Sequence, residues 1–280
     1  SQGPGAPALP ASTEILSEGG EDNVTVAVAN VPNTVGIDVN LGSGDDWLTM
    51  IMAPVHMETT LYVHGNTGTV DRVQVVGDSA ADNIISVGNL DSNTDRIRMN
   101  TVEQLFMFGG AGVNNFTNNA VGALQLVFMI GGAGNDVFTN NSSVSSLLDG
   151  LGGNDSLTGG TGRDMLLGEG GLDTLTAVSE EDLLVSGPVS FDLHVESLLS
   201  IMSEWTSGRT FNERVANING TGVGARNNGD NFLQVGVTVF DEGAVDMLSG
   251  GTQADWFFAQ TSNDQILDEQ ALEDIVTNIP

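Results

Sequence analysis

The chain has 280 residues, and 7 basic against 37 acidic side chains give a formal charge of −30 at pH 7. All the bases are arginine, and such a polyanion is repelled by nucleic acid and anionic lipid, whose recognition begins with Lys/Arg contacts to phosphate. The absence of cysteine excludes a disulfide framework, a thiolate zinc site and a cysteine nucleophile, while 40% hydrophobic residues are too many for a disordered acidic tail.

From the N-terminus, SQGPGAPALPAS has neither a basic n-region nor an apolar h-region and does not read as a signal peptide. Residues 1–23 are expected to form an extended segment, and the missing initiator methionine is what a processed protein or a fragment of a larger one would show. No stretch offers the ~18 apolar residues a membrane helix needs, so membrane insertion is not expected. Residues 24–108 break into short β segments with polar turns: VTVAVANV, GIDVNL, WLTMIM, TLYVHG, DRVQVVG, NIISV, DRIRMN and QLFMFG. Turn motifs are widely spaced there, at Asp46, Asp82 and Asn114. The region 24–130 therefore reads as a parallel β-helix of wide coils, with a separate β-sandwich over 20–100 as the alternative.

Self-similarity then takes over. FMFGGAGVNNFTNN at 106–119 recurs as FMIGGAGNDVFTNN at 128–141. Three nine-residue units abut without a gap: GLGGNDSLT at 150–158, GGTGRDMLL at 159–167 and GEGGLDTLT at 168–176. With GGAGNDVFT at 131–139 they follow the pattern G-G-x-G-x-D-x-U-x, where U is large and apolar. Leu151 and Glu169 replace the second glycine in two units. Weaker copies are LGSGDDWLT at 41–49, GDSAADNII at 77–85, GGAGVNNFT at 109–117 with Asn114 in the aspartate's place, and a consecutive run DEGAVDMLS, GGTQADWFF, AQTSNDQIL over 241–267.

Each unit reads as a turn of six residues followed by a short strand. Glycines let the turn adopt backbone angles closed to other residues and expose carbonyl oxygens, and the sixth-position aspartate adds a carboxylate. Calcium takes six to eight oxygen ligands at roughly 2.3–2.6 Å, more than one turn supplies, so stacked turns must share it. The candidate turns are Gly131, Gly132, Gly134 and Asp136; Gly150, Gly152, Gly153 and Asp155; Gly159, Gly160, Gly162 and Asp164; and Gly168, Gly170, Gly171 and Asp173. Asp46, Asp246, Asp255 and Asp264 come from the weaker copies.

Nine residues per half-coil place positions 18 apart on one side, so Asp155 and Asp173 stack and Asp136 joins them through a one-residue bulge. Asp164 lies opposite, above the glycine-free NSSVSS, and that side is expected to be the weaker one. The eighth positions (Leu48, Ile84, Phe116, Phe138, Leu157, Leu166, Leu175, Leu248, Phe257 and Ile266) should form inward ladders. Stacked aspartates repel without metal, which couples folding to calcium.

Between Ser179 and Asp241 the register breaks. Val195, Leu198, Leu199, Met202 and Trp205 line one face of a helix closed by Gly208. Thr210 and Glu213 form a capping box for a second helix carrying Phe211, Val215 and Ile218 and ended by Gly220. The expected organisation is an N-terminal segment 1–23, wide coils 24–130, a calcium roll 131–176, a helical insertion or cap 177–240 with its helices near 192–219, and degenerate coils 241–280.

The nonapeptides at 131–176 resemble the hemolysin-type calcium-binding repeat of the repeats-in-toxin family. That resemblance implies an all-β, right-handed parallel β-helix or β-roll solenoid with Ca2+ as its cofactor. IMSEW, RVANINGTG, TVFDEGA and DWFFA look like C-terminal segments of large bacterial surface proteins with this repeat, which implies export and an extracellular or cell-surface location.

No catalyst is expected. His56, His64 and His194 lack metal-ligand spacing, HExxH, GxSxG and the Walker loop are absent, and without lysine no Schiff base forms. A calcium-dependent polysaccharide lyase would need Arg72, Arg96 or Arg98 beside Asp71 or Asp95, in a basic groove that this charge opposes. The expected role is a structural protein, a homo-oligomer or polymer assembling into a surface layer or fibre. The alternatives are the export and calcium-folding tail of a larger secreted adhesin or enzyme, and a module for surface glycans.

Overall fold

The computed structural model describes residues 13–16, 19–28, 36–52, 60–64, 72–76, 83–87, 95–100, 102–119, 123–191, 194–269 and 273–280. Strands β1 (Thr13–Leu16), β2 (Asn23–Val28), β3 (Gly36–Asn40), β4 (Trp47–Met52), β5 (Thr60–His64), β6 (Arg72–Val76), β7 (Asn83–Val87) and β8 (Asp95–Asn100) come first. Next are β9 (Gln104–Phe108), β10 (Asn115–Asn119), β11 (Leu126–Gly132), β12 (Val137–Asn140), β13 (Ser146–Leu151), β14 (Ser156–Thr158), β15 (Met165–Leu167), β16 (Thr174–Thr176) and β17 (Leu183–Val185). Helices α1 (Val195–Trp205) and α2 (Phe211–Ile218) precede β18 (Met247–Ser249), β19 (Trp256–Ala259), β20 (Gln265–Ile266) and β21 (Ile275–Asn278).

The strands form two sheets in which every pairing is parallel. One runs β1-β3-β5-β8-β7-β10-β12-β14-β16-β18-β20, the other β2-β4-β6-β9-β11-β13-β15-β17-β19-β21. The chain crosses between them at each half-coil and makes a β-solenoid of about nine turns, the all-β architecture expected. One departure is local: consecutive strands β7 and β8 both join the first sheet, with β8 wedged between β5 and β7. The coils narrow along the axis. Thr13 pairs with Ile37, 24 residues on, Leu105 with Val127, 22 on, and Leu157 with Leu175, 18 on.

Two features bear on the expected organisation. Within the N-terminal segment, Thr13–Leu16 is a sheet strand paired with β3, and residues 1–12 and 17–18 lie outside the described residues. The coil series also runs past 176: β17 pairs with β15 and, across the insertion, with β19.

The core between the sheets is built from the eighth positions. Leu48, Phe116, Phe138, Leu157, Leu166, Leu175, Leu248 and Phe257 are fully buried, and Ile266 is partly so. Ile84 belongs to β7, and its side chain lies outside the described residues. Parallel register places like on like, so the Phe116 and Phe138 rings stack with centroids 4.9 Å apart and planes 5° off parallel.

A second core covers the outer face of the second sheet. Strands of the first sheet (SLT, TLT) bury only their central residue, whereas MLL, LLV and WFFA in the second are buried at every position. That is the pattern of a strand covered on both faces. The cover is the insertion. It leaves and rejoins the solenoid through a short antiparallel stem, with Ser190 N–H donating to Thr238 O and Phe240 N–H to Pro188 O. Leu198, Ile201, Met202 and Trp205 of α1 then pack with Met165, Leu183 and Trp256. Helix α2 carries the Thr210–Glu213 capping box.

The two faces should respond differently to truncation. Phe138→Ala is expected to destabilise the calcium-loaded protein by about 3–5 kcal/mol, whereas Val137→Ala, exposed beside it, should change stability by less than about 0.5 kcal/mol; denaturant melts in saturating calcium measure both.

Candidate metal centre

Each sixth-position aspartate lies in the turn entering a strand, so the parallel register stacks the aspartates as it stacks the core. On the first-sheet side the backbone N–H of Asn114 donates to Asp136 Oδ1 (2.6 Å), Asp136 N–H to Asp155 (2.7 Å), Asp155 N–H to Asp173 (2.7 Å), Asp173 N–H to Asp246 (2.7 Å) and Asp246 N–H to Asp264 (3.0 Å). On the second-sheet side Ser146 N–H donates to Asp164 (2.6 Å), Asp164 N–H to Asp182 (2.7 Å), Asp182 N–H to Asp255 (2.8 Å) and Asp255 N–H to Asp274 (2.9 Å). Asp46 accepts the Asp22 N–H on that same side. The insertion does not disturb the register, although it separates Asp173 from Asp246, and Asp182 from Asp255, by 73 residues instead of 18.

One oxygen of each carboxylate is thus used by the neighbouring coil. The second oxygen of Asp155, Asp173 and Asp182 is buried with no hydrogen-bond partner. It sits over the first glycine of its own unit: a Cβ on Gly131, Gly150, Gly159, Gly168 or Gly250 would collide with Oδ2 of Asp136, Asp155, Asp164, Asp173 or Asp255. The second and fourth positions face backbone. A Cβ on Gly132, Gly134 or Gly160 would strike a carbonyl of the coil below, and Gly153 and Gly171 in addition hold φ +126° and +136°, where side chains are strained. At Gly152 and Gly170 the nearest carbonyls lie 3.6–3.9 Å from such a Cβ; those two sit in a bridge between coils, with Gly152 N–H donating to Gly132 O and Gly170 N–H to Leu151 O. Gly162 abuts the backbone of the Ser143–Ser145 turn.

Where the second glycine is absent, its replacement takes the left-handed φ that Gly42 and Gly251 hold at the same position of their units (84° and 87°). Leu151 and Glu169 take φ 65° and 68°, and both Glu169 carboxylate oxygens accept the Val189 N–H at the start of the insertion. The bulge between Asp136 and Asp155 is held by Asn140, which accepts from Ser142 N–H and Oγ and donates to Val144 O.

Burial drives the electrostatics. It pushes Asp155 up to about 7, with repulsion from Asp136 adding, and Asp173 to about 8, with Asp155, Asp246 and Glu242 adding. Asp255 rises to about 8 and Asp246 to about 6 for the same reason. Asp164 and Asp182 form a tightly coupled buried pair whose protons are also held more firmly than usual. Carboxylates so placed need a proton or a cation. Among the described residues no three acidic or histidine side chains converge on one point, so each ion would draw one carboxylate per turn and complete its shell from turn carbonyls, a donor set that suits a hard oxygen-seeking cation.

The RTX calcium-binding nonapeptide repeat family matches residues 147–182 and 242–267, in four copies. Comparison with curated proteins and with solved structures gave no match. The chain is thus a parallel β-solenoid carrying RTX nonapeptide repeats, and these repeats bind calcium ions. They occur in secreted bacterial proteins.

Sequence reasoning put Asp136, Asp155 and Asp173 on one side and Asp164 on the other, as the structure does. It did not assign Asp182 and Asp274. AVSEEDLLV at 177–185 abuts the preceding unit in register, with Asp182 sixth and Leu184 eighth; without glycine it did not stand out. The second side therefore holds an unbroken run from Asp164 to Asp274, with Ser146 in the aspartate's place one coil below Asp164. Asp82 lies outside the described residues.

Two outcomes follow for the ladders. At calcium ten to a hundred times above a site's Kd, each site stabilises the fold by about 1.4–2.7 kcal/mol. Asp155→Ala, shared by two levels, should lower thermal stability in calcium by roughly twice that, and Asp230→Ala, on an exposed side chain, by almost nothing. In chelator, only the folded chain keeps its buried protons between the ordinary carboxylate range near 4 and the raised values of 6–8. Metal-free stability should be greatest in acid and fall as pH climbs through that window, and calcium should flatten the fall; melts from pH 5 to 9 with and without calcium measure it.

Proposed function

We propose that this chain is an extracellular calcium-binding structural protein that folds on meeting calcium outside the cell and self-assembles into a surface layer or fibre. The observation that carries the folding switch is the pair of buried aspartate ladders with unpaired oxygens. Extracellular calcium modules bind at about 10⁻⁴–10⁻³ M. A chain tuned to that range stays unfolded in a low-calcium cytoplasm and condenses after export.

Assembly finds its support on the first sheet. From Val113 to Leu267 the fifth, seventh and ninth positions of six units carry Asn, Thr, Ser, Gln, Val, Leu and Met and no charged residue. Val113, Val137, Leu172, Met247 and Leu267 are exposed there. On a chain at −30, a flat uncharged face is where like-charged copies meet with least repulsion. The reading is non-catalytic. Of the arginines a lyase would use, Arg72 belongs to a strand of the second sheet and Arg96 and Arg98 to a strand of the first.

Sedimentation velocity and electron microscopy test this reading in millimolar calcium and in chelator. Assemblies should form in calcium alone, and Thr158→Glu with Thr176→Glu should dissolve them while leaving the calcium-dependent circular dichroism unchanged. Monodisperse wild-type monomers in calcium would overturn the assembly and leave a calcium-folding segment of a larger secreted protein.

A further inference from the structure

We infer that the helical insertion braces the calcium turn at 177–182, with Glu181, Arg163 and Arg214 as the positioning residues, so that the second ladder releases calcium more slowly than the first. This rests on the calcium reading of the ladders. The turn Ala177–Asp182 has no glycine, and Glu180 holds the left-handed φ of 71° that glycine would adopt without strain. It nevertheless presents Asp182, fully buried, with one oxygen taken by Asp164 N–H and the other unpaired. Something outside the turn has to hold it.

The contacts that do so come from the level below and from the insertion. Glu181 Oε2 lies 2.7 Å from Arg163 Nε and 3.3 Å from Arg214 NH2. Arg163 occupies the fifth position of the unit below, and its NH1 donates to Ser207 O in the link between the helices. Arg214, on α2, is fully buried; it lies over the Trp205 ring at 5.1 Å and donates through NH1 to Arg209 O. Trp205 packs against Trp256, the residue after Asp255, with centroids 6.3 Å apart. The insertion therefore touches three consecutive levels of the second ladder, through Arg163, Glu181 and Trp256, the sequence neighbours of Asp164, Asp182 and Asp255.

A guanidinium buried this far needs its carboxylate partner, so docking of α2 requires Glu181 in place. Cation at Asp182 removes a like charge beside Glu181, and by linkage the docked insertion favours the loaded turn as much as the loaded turn favours docking. The first ladder has no such cover, since its sheet keeps an open outer face.

Stopped-flow mixing of the calcium-loaded protein with a chromophoric chelator tests the brace, with indole fluorescence followed in a Trp47→Phe background. Two release phases are expected, and the indole signal of Trp205 and Trp256 should accompany only the slow one. Glu181→Gln and Arg163→Gln, both at partly exposed side chains, should accelerate the slow phase about tenfold or more and leave the fast phase and calcium stoichiometry unchanged. Arg214→Met should do the same where it folds. Asp155→Ala should alter the fast phase alone. A single release phase, or a slow phase unchanged in both glutamine variants, overturns the brace. A folded protein that releases no calcium overturns the ladder reading and the brace with it.

Discussion

Parallel stacking brings equivalent residues of successive coils to about 4.8 Å from one another. What that does for Phe116 and Phe138 it also does for Asp155 and Asp173, and the two effects have opposite signs. Two full charges at ~5 Å with an effective dielectric of ~20 repel by about 3 kcal/mol, and each inner aspartate of a ladder has a neighbour above and below. The backbone N–H accepted by one oxygen offsets part of this. The other oxygen is left in a dry turn without a donor, and the fold depends on what neutralises it.

This constraint accounts for the glycines better than flexibility does. The first glycine of a unit leaves room for its own aspartate's carboxylate; the second and fourth let the coil lie directly on the backbone below. Departures from the pattern mark where another element takes over. Glu169 stands in a glycine position and anchors the entry of the insertion, and the glycine-free turn at 177–182 is gripped by two arginines. The sheets divide the work accordingly. Along the repeats one sheet carries the insertion on an apolar outer face, while the six first-sheet units between Val113 and Leu267 present an open, uncharged surface.

Much of this was legible because a nine-residue period, once present, fixes side, stacking and core together. Asp136 joining Asp155 across a bulge, the inward ladder from Leu48 to Ile266, and both helices with the Thr210–Glu213 cap could be read from residue spacing. Other features could not. The unit at 177–185 keeps the aspartate and the apolar eighth position but none of the glycines, and glycine is the louder signal. That MLL, LLV and WFFA are strands buried on both faces was not read from their spacing, and only three-dimensional contact shows that α1 and α2 are the cover. In the wide coils, the wedge of β8 between β5 and β7 leaves no periodic trace.

The most direct test is a crystal structure grown in abundant calcium with diffraction collected where calcium scatters anomalously. Anomalous peaks are predicted within coordination distance of the free oxygens of Asp155, Asp173 and Asp182, with turn carbonyls completing each shell. An ordered solenoid whose aspartate ladders lack anomalous density under those conditions would contradict the account.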